Sequence, residues 1–430
     1  MPASLANIFF QRAKGCDMDV QLSFHIFPRR RKRRVSLTPK RLILPTPSPE
    51  QRIRTLSVQS YTWDEAQNVI NGWANALSPL EELVIITDDE HPHVSRPPIF
   101  VGEALKTLRL RNFAIPGLDH IRAPNLTVLE LLDSSETPCS MKTLFDFLDT
   151  TPFLEDVSIR PCHPYDFPPT DRKVILPHVR RLIFAMEHVP EVASQLICPS
   201  VTSTQLMDVL PDDSVTPLFP PTLHSFLEQY SVEAINKVTM RVSDGEGHQT
   251  SLQFHSPSGN TFCFTCRDSD PSDELWSFTL LFDEAVSTLL SFPLSQVVAF
   301  TIDTEDSDFT GDPNHIRTKL AEVFEKCSKL QKVVLESYGL GRFPDFSRDK
   351  MPSIQALVIK HPKDISWEEL VENVTEAAQI RHSKGKPLNR VEIFTAQEHP
   401  KIEQLESLVQ EVVCSGIDSW KNSDGDAPCT

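Results

Sequence analysis

Arg109, Arg111 and Arg160 stand beside the last apolar residue of a short recurring pattern, on neighbouring copies of it. A guanidinium presents a planar fork of donors that matches a carboxylate two bonds at a time, so three of them on one face suit acidic groups on a partner. Glu130, Arg241, Glu336 and Lys360 occupy the equivalent places on other copies. The same set could therefore be a solvated sheet face whose charges pair with one another, as Arg109 and Arg111 could with Glu130. A second constellation is the run Arg29, Arg30, Arg31, Lys32, Arg33 and Arg34. Its density fits a nuclear-import signal or an electrostatic tether, and equally a soluble insert. Ser36 follows it as the acceptor of a basophilic kinase would, and Thr38, before Pro39, as that of a proline-directed one. Phosphate at either would partly neutralise the run.

Residues that could carry catalysis or hold a metal do not assemble in the sequence. There is no Gly-x-Ser-x-Gly, no phosphate loop ending in Lys-Ser/Thr and no His-Glu-x-x-His. Cys263 and Cys266 form a Cys-x-x-Cys, but zinc needs four ligands and no second pair lies nearby; on a strand the two would also point to opposite faces. Asp88–Asp89–Glu90–His91–Pro92–His93 carries ligand-type atoms in a loop and predicts adventitious binding at most. Gly339–Leu340–Gly341 lacks a third glycine and a helix start, and Asp303, Glu305, Asp306 and Asp308 read as an acidic loop. No enzyme, cofactor or designed metal site is expected.

The elements that position these residues repeat. Eleven copies of apolar–x–x–apolar–x–apolar occur: Ile53/Leu56/Val58, Leu80/Leu83/Ile85, Leu105/Leu108/Leu110, Leu126/Leu129/Leu131, Leu154/Val157/Ile159, Val179/Leu182/Phe184, Ile235/Val238/Met240, Val297/Phe300/Ile302, Leu330/Val333/Leu335, Ile354/Leu357/Ile359 and Leu388/Val391/Ile393. From Leu56 to Leu182 the middle residues are 27, 25, 21, 28 and 25 apart; the next step is 56, which Val201/Thr204/Leu206 splits as a worn copy. A period of a few tens of residues marks a stacked array, and this spacing is that of leucine-rich repeats. The expected fold is α/β: an irregular solenoid with a parallel concave sheet, helices and loops behind it, and an antiparallel meander inserted. Its binding surface would be the concave face.

Along the chain, residues 1–27 predict a short helix (5–13) and a capping strand from the alternation Met18, Val20, Leu22, Phe24, Ile26. Residues 28–51 are a basic, proline-rich insert. The first repeat section, 52–234, holds a helix with Thr62 and Glu65 at capping-box positions and Ala66, Val69, Ile70, Trp73, Ala74 and Leu77 on one face. A second helix follows Ser140, with Met141, Leu144, Phe145 and Leu148 aligned. The insertion, 235–293, predicts four strands: Lys237–Val242, Ser251–His255, Thr261–Cys266 and Trp276–Phe282, with turns at Asp244–Gly247 and Ser258–Asn260. The last section, 294–420, predicts helices from Asp312–Pro313 and from Ser366, and an amphipathic helix Ile402–Val413 capping the end; 421–430 is a loose tail.

Composition narrows the functional classes. The chain has 430 residues, 40% apolar, with 35 prolines against 13 glycines, which fits proline-punctuated loops around a real core. Nine scattered cysteines predict reduced thiols in an intracellular protein, cytoplasmic or nuclear. No stretch approaches the about 18–20 apolar residues of a membrane span, and no leader is evident. The net charge of −17 divides into +9 over residues 1–54 and −26 over 55–430. An acidic body excludes a duplex nucleic-acid reader, which needs clustered cations.

This texture, with the opening Phe9–Phe10–Gln11–Arg12–Ala13–Lys14–Gly15–Cys16–Asp17–Met18–Asp19–Val20, resembles the leucine-rich-repeat region of F-box-like proteins of mushroom-forming (basidiomycete) fungi. The resemblance covers most of residues 5–415. It implies the target-binding part of a substrate receptor, whose F-box would dock on the adaptor of a cullin–RING ubiquitin ligase. The F-box itself is not evident: no such helical module precedes Met18, and Leu44–Pro45 runs into Pro47 and Pro49, which break a helix. A relative that lost its F-box, or a chain whose F-box lies upstream, would fit. The alternative is an F-box-independent repeat scaffold or nuclear adaptor. The asparagine that caps regular repeats is also missing after Leu108/Leu110, so the turns must be held by other means.

Overall fold

A computed structural model describes residues 12–13, 16–23, 52–60, 63–73, 76–87, 100–111, 118, 121–132, 138–160, 163–169, 171–210, 235–243, 249–268, 278–305, 313–336, 348, 350–360, 367–394 and 402–415. The chain divides into two compact units, Met1–Glu187 with Gln195–Val201, and His188–Ser194 with Thr202–Thr430.

The first unit contains β1 (Asp17–Ser23), β2 (Arg52–Ser60), α1 (Trp63–Trp73), β3 (Glu82–Thr87), β4 (Phe100–Val101), β5 (Thr107–Arg111), β6 (Ile121–Arg122), β7 (Val128–Leu132), β8 (Pro138–Ser140), α2 (Met141–Asp149), β9 (Asp156–Arg160), β10 (His163–Tyr165), β11 (Val174–Ile175) and β12 (Arg181–Met186). After α3 (Val189–Ser194), which belongs to the second unit, comes β13 (Leu196–Ile197). The main sheet runs β1-β2-β3-β5-β7-β9-β12, every neighbouring pair parallel. Parallel neighbours require a crossover between strands. Here α1 and α2 provide two, with α1 against β2 and β3. Short parallel pairs, β4 with β6, β8 with β10 and β11 with β13, accompany the others.

The second unit contains α3, β14 (Ser203–Leu210), β15 (Lys237–Ser243), β16 (Gln249–His255), β17 (Thr261–Asp268), α4 (Phe278–Ser291), β18 (Ala299–Glu305), α5 (Pro313–Lys326), β19 (Lys332–Glu336), β20 (Ala356–Lys360), α6 (Trp367–Ser383), β21 (Arg390–Phe394), α7 (Glu403–Glu406) and β22 (Glu411–Ser415). Its sheet order is β14-β17-β16-β15-β18-β19-β20-β21-β22. β16 is antiparallel to both neighbours; the other pairs are parallel. The chain is thus mixed α/β with mostly parallel sheets. The described strands close no barrel.

The recurring apolar triplets stack in register. Leu56, Leu83, Leu108, Leu129, Val157 and Leu182 pair strand to strand, as do Val58, Ile85, Leu110, Leu131, Ile159 and Phe184. In the second unit Val238, Phe300, Val333, Leu357 and Val391 form one such ladder, and Met240, Ile302, Leu335, Ile359 and Ile393 another. All members of the eleven triplets are buried. This ladder faces the helices: Phe300 meets Phe324 of α5 edge-on at 5.3 Å, and Phe254 of β16 meets Phe292 at 5.1 Å. The worn copy Val201/Thr204/Leu206 is buried as well.

The turns are held by backbone. The carbonyl of Glu81 accepts from the N–H groups of Lys106 and Thr107, that of Lys106 from Thr127 and Val128, and those of Thr127 and Glu155 from the next pairs along. Asn236, Val298, Gln331 and Gln355 repeat the arrangement in the second unit. Side chains reinforce it from one turn to the next: Asn125 donates to the Glu103 carbonyl at 2.7 Å, Ser200 to Pro177 at 2.6 Å and Ser328 to Ser295 at 3.2 Å. These bonds satisfy the strand-entry carbonyls that an asparagine ladder satisfies in regular repeats.

The expected helices form where their apolar stripes place them. Ala66, Val69, Ile70 and Trp73 of α1, Met141, Leu144, Phe145 and Leu148 of α2, Ile316, Leu320, Val323 and Phe324 of α5, and Leu370, Val371, Val374 and Ala378 of α6 are all buried. Ser140 caps α2, accepting from the Thr143 N–H at 3.3 Å. Leu77 lies beyond the end of α1. Two expectations are corrected. Of the fourth meander strand, Trp276–Phe282, the described part Phe278–Phe282 is not a strand; it begins α4, because Phe282, Ala285, Val286 and Leu289 continue at helical spacing and are buried together. The terminal helix 402–413 shrinks to α7, and Glu411–Ser415 is a strand instead. There the β-branched pair Val412–Val413 finds the open edge of β21, with Val412 opposite Val391. Of the expected helix 5–13 only Arg12, which is helical, and Ala13 are described; residues 5–11, the basic insert 28–51, Thr62 and the tail 421–430 lie outside the described residues.

Candidate functional site

In a strand alternate side chains face opposite ways. The residues flanking each buried triplet position therefore form rows on the sheet face away from the ladder. In the first unit one row runs Ser57, Val84, Arg109, Glu130, Ser158, and the next Gln59, Ile86, Arg111, Leu132, Arg160. Arg109 and Arg111 are exposed, and Glu130, Leu132, Ile86 and Arg160 are half-buried. Arg109 is neutralised where it stands: its Nε lies 3.2 Å from Glu130 and its Nη1 3.9 Å from Glu82. Arg111 and Arg160 sit opposite Leu132 from either side, so their strand neighbour offers them no acid. The Nε of Arg160 is shielded from water and has no hydrogen-bond partner.

The corresponding row of the second unit is Arg241, Asp303, Glu336 and Lys360, each opposite the next on adjacent parallel strands. Here register supplies the partners. Arg241 Nε is 2.7 Å from Asp303 Oδ2, and Lys360 Nζ is 3.0 Å from Glu336 Oε1. Asp303 is 5% exposed and Lys360 9%, so these charges are not a solvated surface. The row beneath them carries Thr301, Val334 and Val358, all buried, and Val334, Val358 and Phe394 form an apolar cluster on this face. Asp303 and Glu336 are neighbours, yet each has its own cation. The row reads as two ion pairs, each with one buried partner (Asp303 and Lys360), held by geometry and costly to break singly, and not as an acid/base couple.

Other reactive groups are accounted for structurally. Cys263 lies on the outward face of β17, within 3.5 Å of the Ser251 hydroxyl, and Cys266 on the ladder face; both are free thiols and buried. Burial pushes the Cys327 thiol up to about 12, which leaves it a thiol. His315 Nε2 lies 2.7 Å from Asp283, joining α5 to α4. Burial, and then the Asp283 charge, raise the Glu284 carboxyl. Arg172 bonds Asp149 at 2.6 Å and Asp146 at 2.8 Å and lies over the Phe145 ring; burial opposes its charge, but the two acids outweigh it and raise its pKa. Among the described residues no three His, Cys, Asp or Glu gather to hold a metal, and no helix is long and apolar enough to cross a membrane. Arg29–Arg34, Ser36, Thr38, Asp88–His93 and Gly339–Gly341 lie outside the described residues.

One group escaped the sequence reading. Arg381 ends the buried stripe Leu370, Val374, Ala378 on α6 and is 1% exposed, with its Nε and Nη2 unpartnered. Burial lowers its pKa to about 10. The helix stops just beyond it in a paired turn: Lys386 N–H donates to the Arg381 carbonyl and Gly385 N–H to His382, with Gly385 at φ +66°. The spacing of Leu370, Val374 and Ala378 puts Arg381 on the same face one turn on; its charge hid it. No protein-family model matches this chain, and no curated protein matches it.

Proposed function

We propose that this chain is a non-enzymatic protein–protein interaction module of the leucine-rich-repeat kind, the target-binding part of an F-box-like substrate receptor for a cullin–RING ubiquitin ligase. The observation that supports the repeat reading is the in-register stacking of identically spaced, buried triplets on parallel strands, six in the first unit and five in the second. Such an array spends its apolar residues on its own stacking and leaves a broad sheet face for a partner. The receptor role rests on the sequence resemblance. The test is purification of the endogenously tagged protein from its own cells, with mass spectrometry of its partners and of its N-terminus. Recovery of the F-box adaptor and a cullin is the expected result. A stoichiometric partner without them would leave a repeat scaffold or nuclear adaptor, and no partner at all would overturn the interaction role.

A further inference from the structure

We propose that Arg111 and Arg160, flanking Leu132 on three neighbouring strands, form a docking row for an acidic segment of a protein partner. The row reads two carboxylates on either side of one apolar side chain. This inference rests on the interaction role above and names the chemistry of the partner.

Register sets the spacing. Arg111 and Arg160 are both paired to Leu132, one from each side, and face the same way. Neighbouring strands lie about 4.8 Å apart, so the two arginine stems stand about 10 Å apart with the leucine between them. Around them, arginines have local acids: Arg52 with Asp17, Arg54 with Asp19, Arg109 with Glu130 and Arg181 with Asp156. Among the described residues Arg111 and Arg160 have no ion-pair partner. The Arg111 side chain is exposed to solvent. Arg160 is worse placed, because its Nε–H is cut off from water without an acceptor. A carboxylate on the part of either guanidinium that remains exposed would form charge-assisted bonds there. Ile86, on the other side of Arg111, and Leu132 are half-exposed in the same row and add apolar area that no described neighbour covers fully.

Charge selects a peptide over a nucleic acid. The body of the chain carries −26 over residues 55–430, and Glu82 and Glu130 stand one row away. A continuous polyphosphate would meet that field along its length, whereas a short segment with two carboxylates and an apolar residue meets only the two cations.

The test uses the full chain and two peptide display libraries of about twelve residues. One fixes Asp or Glu at variable short spacings on both sides of Leu; the other carries Asn or Gln at the same places. The acidic library is expected to enrich, and its best peptide to lose about tenfold or more in affinity on amidation of its acids or on R111Q/R160Q double substitution. R109Q, whose arginine is already paired, should change affinity by less than about twofold. Equal enrichment of both libraries, no enrichment of either, unchanged binding by the folded double variant, or a preference of the row for single-stranded DNA would each overturn the proposal. If the libraries fail while the tagged native protein still holds a stoichiometric partner, the acidic docking row falls and the interaction role stands. If the native protein holds none, the role itself falls.

Discussion

Replacing Arg381 by methionine should stabilise the second unit. The guanidinium is 1% exposed, two of its nitrogens lack partners, and it continues an apolar stripe of α6. Its pKa falls from the ordinary arginine value to about 10 because burial disfavours the charged form. Each tenfold change in proton affinity corresponds to about 1.4 kcal/mol, so the penalty carried at neutral pH is on the order of 3 kcal/mol. The sign follows: the unfolded chain holds this proton more tightly, so stability rises with pH only from about 10 up to the ordinary arginine value, and at pH 7 the full cost is present. Methionine keeps most of the side-chain volume and removes the charge, which gives an expected gain of about 1–3 kcal/mol after imperfect packing is allowed for. Alanine removes the stem as well and should gain less, or lose, through the cavity it leaves. Hydrogen–deuterium exchange of 367–383 reads the local opening free energy directly, and slower exchange in R381M is the expected result. Faster exchange by more than about tenfold would mean that the cation is compensated after all, and the argument from burial would fail.

Leu108→Asp puts a charge into the fully buried ladder and should leave the protein insoluble or unfolded, while Arg109→Glu, on the solvent side of the same strand, should shift stability by about 1 kcal/mol or less; equal tolerance of the two, judged by soluble yield and melting temperature, would sink the ladder assignment. Phe324→Ala removes a fully buried ring that meets Phe300 and should cost about 3–5 kcal/mol in denaturant unfolding. Thiol labelling at pH 8 should modify exposed Cys16 quickly and leave Cys327, raised to about 12 by burial, unlabelled until denaturant opens the chain. Because burial and Asp283 raise the Glu284 carboxyl, its contribution to stability is intact below 4.5 and lost as pH rises through its elevated value. Glu284→Gln should therefore stabilise at pH 7 and make no difference well below 4.5, as melting curves at the two pH values would show.

Spacing made one side of each sheet legible. An apolar–x–x–apolar–x–apolar triplet specifies a strand with a turn before it, and the strand positions are those whose burial decides the fold. The misreadings came where two periods fit a short window. Phe278, Leu280 and Phe282 alternate as a strand would, and only the continuation to Ala285, Val286 and Leu289 selects the helix. Leu405, Leu408, Val409 and Val412 have helical spacing, but an unpaired edge at β21 gives Glu411–Ser415 backbone partners that an isolated last helix would lack. The other side of the sheet was not legible, because alternation tells which way a side chain points and not what surrounds it. Glu336 and Lys360 looked as free as Arg111, and only register shows that they hold each other.

Register is also what separates the two charged rows in function, and a single substitution tests it. In the second unit every cation of the row faces an acid across one strand step, so its charges are consumed internally. In the first unit the residue between Arg111 and Arg160 is Leu132, so the strand register offers them no acid. Leu132→Glu would place that acid within reach of both guanidinium groups. Leucine here is half-buried, so the lost apolar area costs about 1 kcal/mol, and two partly exposed ion pairs return a similar amount. The expected protein is folded, near wild type in stability at low salt, and unable to bind the acidic peptide, since its own carboxylate occupies the site. A variant destabilised by more than about 2 kcal/mol would show that Leu132 is packed as core and that this row is not open to a partner.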